Sequence, residues 1–402
     1  AFLIPYLLFV FGIASVGLMG EWAFGRSQRK GAIGAFESVF KSKGYSSSGG
    51  AVLGIIPVLA VYAVYIFYAV VIGWLLKYFV LSLSGTFAKL SAEEIPALFG
   101  GFAGTAASIG WHAAGIIITM IIVLFGVQKG IEKANKIMMP VLFAIMVILF
   151  VRSVTLPGAV AGLGYMFVPD WSKIAETETW IMALGQAFFT LSLGGATMLV
   201  YGSYARDDTV IHSAAIQTVF FNFLASLLAA LAIIPAVFAF GLDPAAGPSL
   251  LFITIPNVFA EMPGGVIFGI LFFLSVVFAG FSSSVSMLEP AVEGAMDKLK
   301  MSRKTSVVVL SIVAFVIGLP LDTSMARFGM WADISTIYVL PLGAVIAGFV
   351  FYWIFGAENA RNEINKGASK PLGKWFEGYA KYVFVIVAVV VMVLNIVFGG
   401  IG

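Results

Sequence analysis

The sequence predicts an all-α polytopic membrane protein. Three observations carry that prediction. Hydrophobic residues make up 61% of the 402 residues and charged residues only 11%, with a mean hydropathy of +1.04. Apolar runs of about eighteen residues or more recur from end to end, the length that crosses a hydrocarbon core as helix. Lysine and arginine gather in alternate loops, the signature of a chain threaded back and forth through a bilayer.

Composition also excludes function classes. There is no cysteine, so disulfides, thiol catalysis and cysteine metal sites are out. His112 and His212 are too few and too far apart for a metal cluster and read as structural or loop-edge residues. The pI near 8.9 reflects loop lysines and not a nucleic-acid surface. No acid, base and nucleophile converge within the spans, so the chain does not read as an enzyme. The spans also lack the repeated charges or carbonyl filters of a channel.

Ten spans are expected in one transmembrane domain over residues 1–402. They cover about 2–24, 52–83, 109–127, 137–154, 177–204, 209–241, 264–296, 305–321, 331–355 and 377–399. The first begins at Phe2 with no charged segment before it, unlike a signal peptide. Residues 26–50 are basic and then Gly/Ser-rich, and read as a link. Residues 155–176 carry Pro, Gly and aromatics, as an ordered loop does. Residues 242–263 hold Pro244, Pro248, Pro256 and Pro263 around an apolar centre, which must pack to be tolerated outside the bilayer. Residues 356–376 form a charged connection. Eighteen of the 23 basic residues fall on one side of this threading, which places Ala1 and Gly402 outside. An outside start directly at a span leads to the expectation that one earlier span precedes Ala1.

One span is not a plain helix. Within 177–204 the stretch 184–198 (LGQAFFTLSLGGATM) puts Gly185, Gly194 and Gly195 beside the hydroxyls of Thr190 and Ser192. Non-helical backbone at membrane depth survives only where it is buried in protein or lines a cavity. A Gly-interrupted span is a pointer to a transporter's binding site. The alternative is close helix packing by small residues. Elsewhere Asn222 lies in an apolar helix and Ser282, Ser283 and Ser284 follow Ala279 in another. Hydroxyls, amide oxygens and freed carbonyls make the neutral oxygen shell that suits a hard monovalent cation. The alternative for each serine is a bond back to its own helix.

At these residues the chain resembles the neurotransmitter:sodium symporter family, which has the leucine-transporter fold. The resemblance rests on 1–6 (AFLIPY), 21–26 (EWAFGR), 130–140 (GIEKANKIMMP), 185–194 (GQAFFTLSLG), 252–256 (FITIP), 278–283 (FAGFSS), 353–357 (WIFGA) and 363–365 (EIN). It covers essentially the whole chain, and the order of the motifs carries it. It implies an inverted-repeat helix bundle with ten spans present and the family's first helix missing, since four spans precede the Gly-rich one where the repeat has five. It implies a sodium-coupled importer of an amino acid in the plasma membrane. The alternatives are a non-transporting accessory bundle and a symporter for an amine.

The resemblance also implies roles. Thr190 and Asn222 match ligands of one sodium site. Ala279 (by its carbonyl), Ser282 and Ser283 match a second. Tyr68 matches the hydroxyl that holds the substrate carboxylate, and Phe189 the aromatic lid. Val64, Thr190, Ser192, Gly195, Ser283 and Met287 match pocket positions. Tyr204 and Asp297 match the cytoplasmic gate, and Asp333 an outer-gate acid whose spacing to Pro341 is off by one. Tyr6, Gln186, Thr190, Asn222 and Ser226 match the donors around chloride in chloride-dependent relatives. Relatives that do without chloride carry a carboxylate at the position of Ser226. Gly195 stands where leucine-selective relatives have a phenylalanine, which leads to the expectation of a large apolar or aromatic substrate.

Overall fold

The computed structural model describes residues 1–194, 196–244 and 250–400. Among the described residues there is no strand, and nine helices are long and apolar enough to cross a membrane. The first, α1, runs Leu3–Gln28. It ends where Arg29 turns left-handed (φ 52°).

Residues 26–50 differ from the simple link expected of them. They contain α2, Ala32–Ser42, whose Ala32, Ile33, Ala35, Phe36 and Val39 are buried. These apolar positions recur at helical spacing. They pack on α3, Ser47–Leu83, which Ser46 caps by accepting from the Gly49 amide. The α3 helix is apolar on every side, as expected of a helix surrounded by others. It packs against α2, α4 (Ala106–Leu124), α11 (Gly265–Lys298) and α13 (Met325–Ile354), and so forms the axis of the bundle.

Gly126 (φ 81°) turns the chain from α4 into α5, Val127–Val154. The loop after α5 carries α6, Ala159–Phe167. The Gly-rich span is two helices, α7 (Thr177–Thr190) and α8 (Thr197–Tyr204), with non-helical backbone between them. Then come α9 (Ile211–Ala239) and the short α10 (Leu250–Glu261). The described part of the apolar 242–263 loop packs over the outer ends of α3 and α11. Phe252 stacks on Phe99 at 5.2 Å and meets Tyr78 at 5.1 Å and Trp74 at 5.8 Å. Pro248 lies outside the described residues. After α11 follow α12 (Arg303–Asp322), α13, α14 (Ala357–Ile364) and α15 (Trp375–Phe398).

His112 is a core residue. Its Nδ1 lies 2.7 Å from Asp322 Oδ2, and Ser108 donates to Asp322 Oδ1 at 2.7 Å, with all three fully buried. This contact fastens the outer ends of α4 and α12. His212 sits at the start of α9, as a loop-edge residue does.

Two glycines set how α8 sits on α1. A Cβ on Gly202 would stand 2.5 Å from the Trp22 carbonyl oxygen and 2.8 Å from its Cα. A Cβ on Gly25 would run into the Leu199 carbonyl. Both obstacles are backbone, which cannot step aside. Small residues that let backbones meet are the usual device for helix packing in lipid. Gly25→Ala and Gly202→Ala are therefore expected to cost about 1–3 kcal/mol each, as overpacking does. Lower melting temperatures in detergent would register it. Gly100→Ala, with nothing within 4 Å of the new methyl, should melt as the parent does.

Candidate functional site

The break between α7 and α8 is built by local chemistry. Ser192 adopts a left-handed conformation (φ 53°), which costs a non-glycine residue about 1–2 kcal/mol. The turn closes through the Ser192 amide donating to the Phe189 carbonyl at 2.9 Å and the Leu193 amide to the Phe188 carbonyl at 3.3 Å. Neighbouring helices then wall it. A Cβ on Gly194 would lie 2.8 Å from Leu340 of α13 and 3.6 Å from Val61 of α3. Opposite, a Cβ on Gly343 would lie 2.9 Å from the Gly194 carbonyl oxygen. Gly195 lies outside the described residues.

Thr190, the last residue of α7, is the centre of a polar cluster. Asn222 of α9 donates its side-chain amide to Thr190 Oγ1 at 2.8 Å. The Tyr6 hydroxyl of α1 faces Thr190 and Ser226. Ser226 also donates to the Asn222 carbonyl at 3.0 Å. Three separate helices thus bring Tyr6, Thr190, Asn222 and Ser226 together. Gln186, half-buried one turn before Thr190, takes no part in these bonds among the described residues.

A second cluster lies on α11. Ser283 faces the Tyr68 hydroxyl of α3. Ser282 donates to the Ala279 carbonyl at 2.8 Å, the bond back to its own helix. Ser284 leaves this group. It is buried on another face and bonds Thr119 of α4 at 2.9 Å, so it is a packing contact between helices. Val64 is buried on α3, Met287 is half-buried on α11, and Phe189 is 56% exposed beside Ser192, which is also exposed.

At the end of the bundle that the basic loops mark, Tyr204 and Asp297 have different charged neighbours. Tyr204 faces Arg303 and Glu289, while Asp297 lies 3.4 Å from Lys298 and 3.9 Å from Lys300. Arg303 grips Glu289 with two prongs, at 2.9 and 2.6 Å, and donates to the Val123 carbonyl at 2.8 Å. One turn on, Glu293 accepts the Gly31 amide at 2.8 Å, at the start of α2. Lys298 pairs with Glu37 of α2 and holds that carboxyl below its ordinary range. Asp333, at the outer end of the bundle, is exposed, with no basic partner within 4 Å among the described residues.

Sequence reasoning misses Glu289, Glu293 and Arg303. The signal that could find them is a pair of acids four residues apart inside a long apolar helix. Such charges must be paired or bonded to persist there. Glu289→Ala should cost roughly 3–5 kcal/mol, because it strands Arg303 with its charge half-buried. Adding Arg303→Met should recover most of that loss. A double-mutant cycle on melting temperature measures the coupling.

Comparison with known proteins sets this geometry in context. A model of the sodium:neurotransmitter symporter family matches residues 104–399. An uncharacterized sodium-dependent transporter of Bacillus subtilis is 32% identical, over 99% of this chain and 90% of its own. The sodium-dependent serotonin transporter of Drosophila melanogaster is 29% identical, over 62% of this chain and 43% of its own. The crystal structure of MhsT in complex with L-phenylalanine superposes with a TM-score of 0.86 at 32% identity, covering 98% of this chain and 91% of that one.

Proposed function

The chain belongs to the sodium:neurotransmitter symporter family, and on that premise we propose that it imports a large apolar or aromatic amino acid together with sodium, by alternating access. Membership makes it a multi-pass membrane transporter and not an enzyme. The observation that carries the sodium reading is the neutral polar cluster at Thr190, where α7 ends, together with the second cluster on α11.

Sodium is cargo here, and the residues suit it. Asn222 donates one amide hydrogen to Thr190, and its side-chain oxygen is free to take a cation. The Ala279 carbonyl, Ser282 and Ser283 supply oxygens for a second ion. None of these ligands carries a formal charge, so each ion brings its own. Tyr68 is assigned to the substrate carboxylate and Phe189 to the lid. Val64, Thr190, Ser192, Gly195, Ser283 and Met287 are assigned to the walls. Tyr204, Asp297 and Asp333 are assigned to the gates.

The size preference rests on Gly195 in the sequence, which stands where leucine-selective relatives carry a phenylalanine. Each methylene buried in an apolar pocket is worth roughly 1–3 kcal/mol of discrimination. The phenylalanine bound to MhsT supports an aromatic substrate. The similarity to a serotonin transporter favours a second reading, an amine. Uptake of labelled tryptophan into proteoliposomes tests both. It should require an inward sodium gradient, and Asn222→Ala should raise the sodium concentration needed at least several-fold. Tryptophan should compete better than alanine, and Gly195→Phe should narrow that gap. Uptake that ignores sodium would sink symport. An unchanged preference in Gly195→Phe would sink the size assignment, and competition by serotonin alone would favour the amine.

The second proposal concerns chloride. Tyr6, Gln186, Thr190, Asn222 and Ser226 offer hydroxyl and amide donors, and no acid lies between Asp208 and Asp243. Uptake is therefore expected to be faster in chloride than in gluconate. Ser226→Glu should remove the difference by supplying the negative charge from the protein. Equal rates in the two anions for the parent protein would end this proposal.

A further inference from the structure

Lys129, Lys133 and Lys136 line a cleft of about 590 Å³ with Phe125 and Gln128, at the turn from α4 to α5. It belongs to neither polar cluster, and the threading of the chain puts it on the cytoplasmic side. We propose that this cleft binds the phosphate headgroup of an anionic lipid from the cytoplasmic leaflet.

The charge is uncompensated. Glu132 pairs with Lys136 at 2.6 Å. Lys129 and Lys133 are exposed, and among the described residues neither has a carboxylate within 4 Å. Like charges four residues apart on a helix repel one another. They also stand near the start of α5, the positive end of its dipole. A phosphate between them would relieve both penalties.

The apolar surroundings identify the source of the phosphate. On the face of α5 that carries Lys129 and Lys133, the next residues at helical spacing are Ile137 and Val141, both exposed. On α4, Ile118, Ile121 and Phe125 are exposed at the same kind of spacing. The surface therefore passes from lysine at the membrane edge to aliphatic side chains along the spans. A phospholipid has that order of polarity along its length. A soluble anion would use the lysines and leave the apolar part without a purpose. Basic pockets between helices on the cytoplasmic side are known to take acidic lipid headgroups, and each nearby lysine contributes about fivefold in affinity.

The test uses the full chain purified in detergent, titrated with phosphatidylglycerol or phosphatidylcholine. Retained lipid is counted by native mass spectrometry, and melting temperature is read in parallel. Phosphatidylglycerol should be retained preferentially and should raise the melting temperature. Lys129→Gln with Lys133→Gln should weaken that retention by roughly 25-fold. Lys370→Gln with Lys374→Gln, which removes two exposed charges elsewhere, should leave it unchanged. Equal retention in the parent and the Lys129/Lys133 variant would overturn the proposal. So would an equal loss in the Lys370/Lys374 control, which would mean general surface charge. Stabilisation of the parent by soluble glycerol phosphate to the same degree would overturn the lipid assignment.

Discussion

The structure depends on one constraint: no backbone polar group can be left bare inside the bilayer. The nine long spans meet it by staying helical from end to end. The α7–α8 segment meets it differently. Its turn residues bond among themselves, and α3 and α13 close on it through Val61, Leu340 and the small Gly343. The glycine contacts of Gly25 and Gly202 then hold α8 against α1. A broken helix is thus possible only because its neighbours are shaped to receive it. The hydroxyl and carbonyl groups near Thr190 are one product of that arrangement.

Charge follows a different rule from the neutral polar groups. Unlike the His112–Asp322 contact at the opposite end, the long-range pairs made by Arg26, Arg303 and Lys298 stand at one end of the bundle, the end that the basic loops mark as cytoplasmic. Arg26, fully buried, bonds Glu363 at 2.7 Å and the Thr209 carbonyl at 2.5 Å, which ties α1 to α14 and to the start of α9. Arg303 ties α12 to α11 and α4. Lys298 and Glu293 tie α11 to α2. Pairs of this kind add little net stability but are costly to break singly. They are therefore better at fixing which helix end sits where than at making the bundle more stable. The loop charges that orient the chain in the membrane also select its cytoplasmic contacts.

The spans are legible because hydropathy and length are properties of a stretch, and a stretch is visible in sequence. The break is legible because the Gly194–Gly195 pair weakens a helix locally, whereas Gly185 stays helical within α7. The α2 helix is hidden by the Gly/Ser content of its surroundings, although Ala32, Ile33, Ala35, Phe36 and Val39 have helical spacing. The serine cluster shows a subtler loss. Consecutive residues on a helix point about 100° apart, so Ser282, Ser283 and Ser284 cannot all face one site. That geometry turns one end of the run away, and the contact with Thr119 shows that the end is Ser284. Other features are beyond the reach of sequence. His112 and Asp322 meet across 210 residues, and neither sequence neighbourhood names the other.

The division between neutral centre and charged ends bears on how such a protein moves. Thr190, Asn222, Ser282 and Ser283 present dipoles, and a dipole at mid-depth can be left with an internal bond when no ion is near. The Asn222–Thr190 bond and the Ser282–Ala279 bond are of that kind. A fixed carboxylate in the same place would need a partner at all times, because an unpaired charge there is expensive. Neutral ligands make occupancy a change of partners and avoid exposing a bare charge. The charge at these four ligands is then set by what is bound, while the paired ends keep the helices in register. Within the transport proposed here, that separation lets cargo bias the gates through ligands that themselves carry no formal charge.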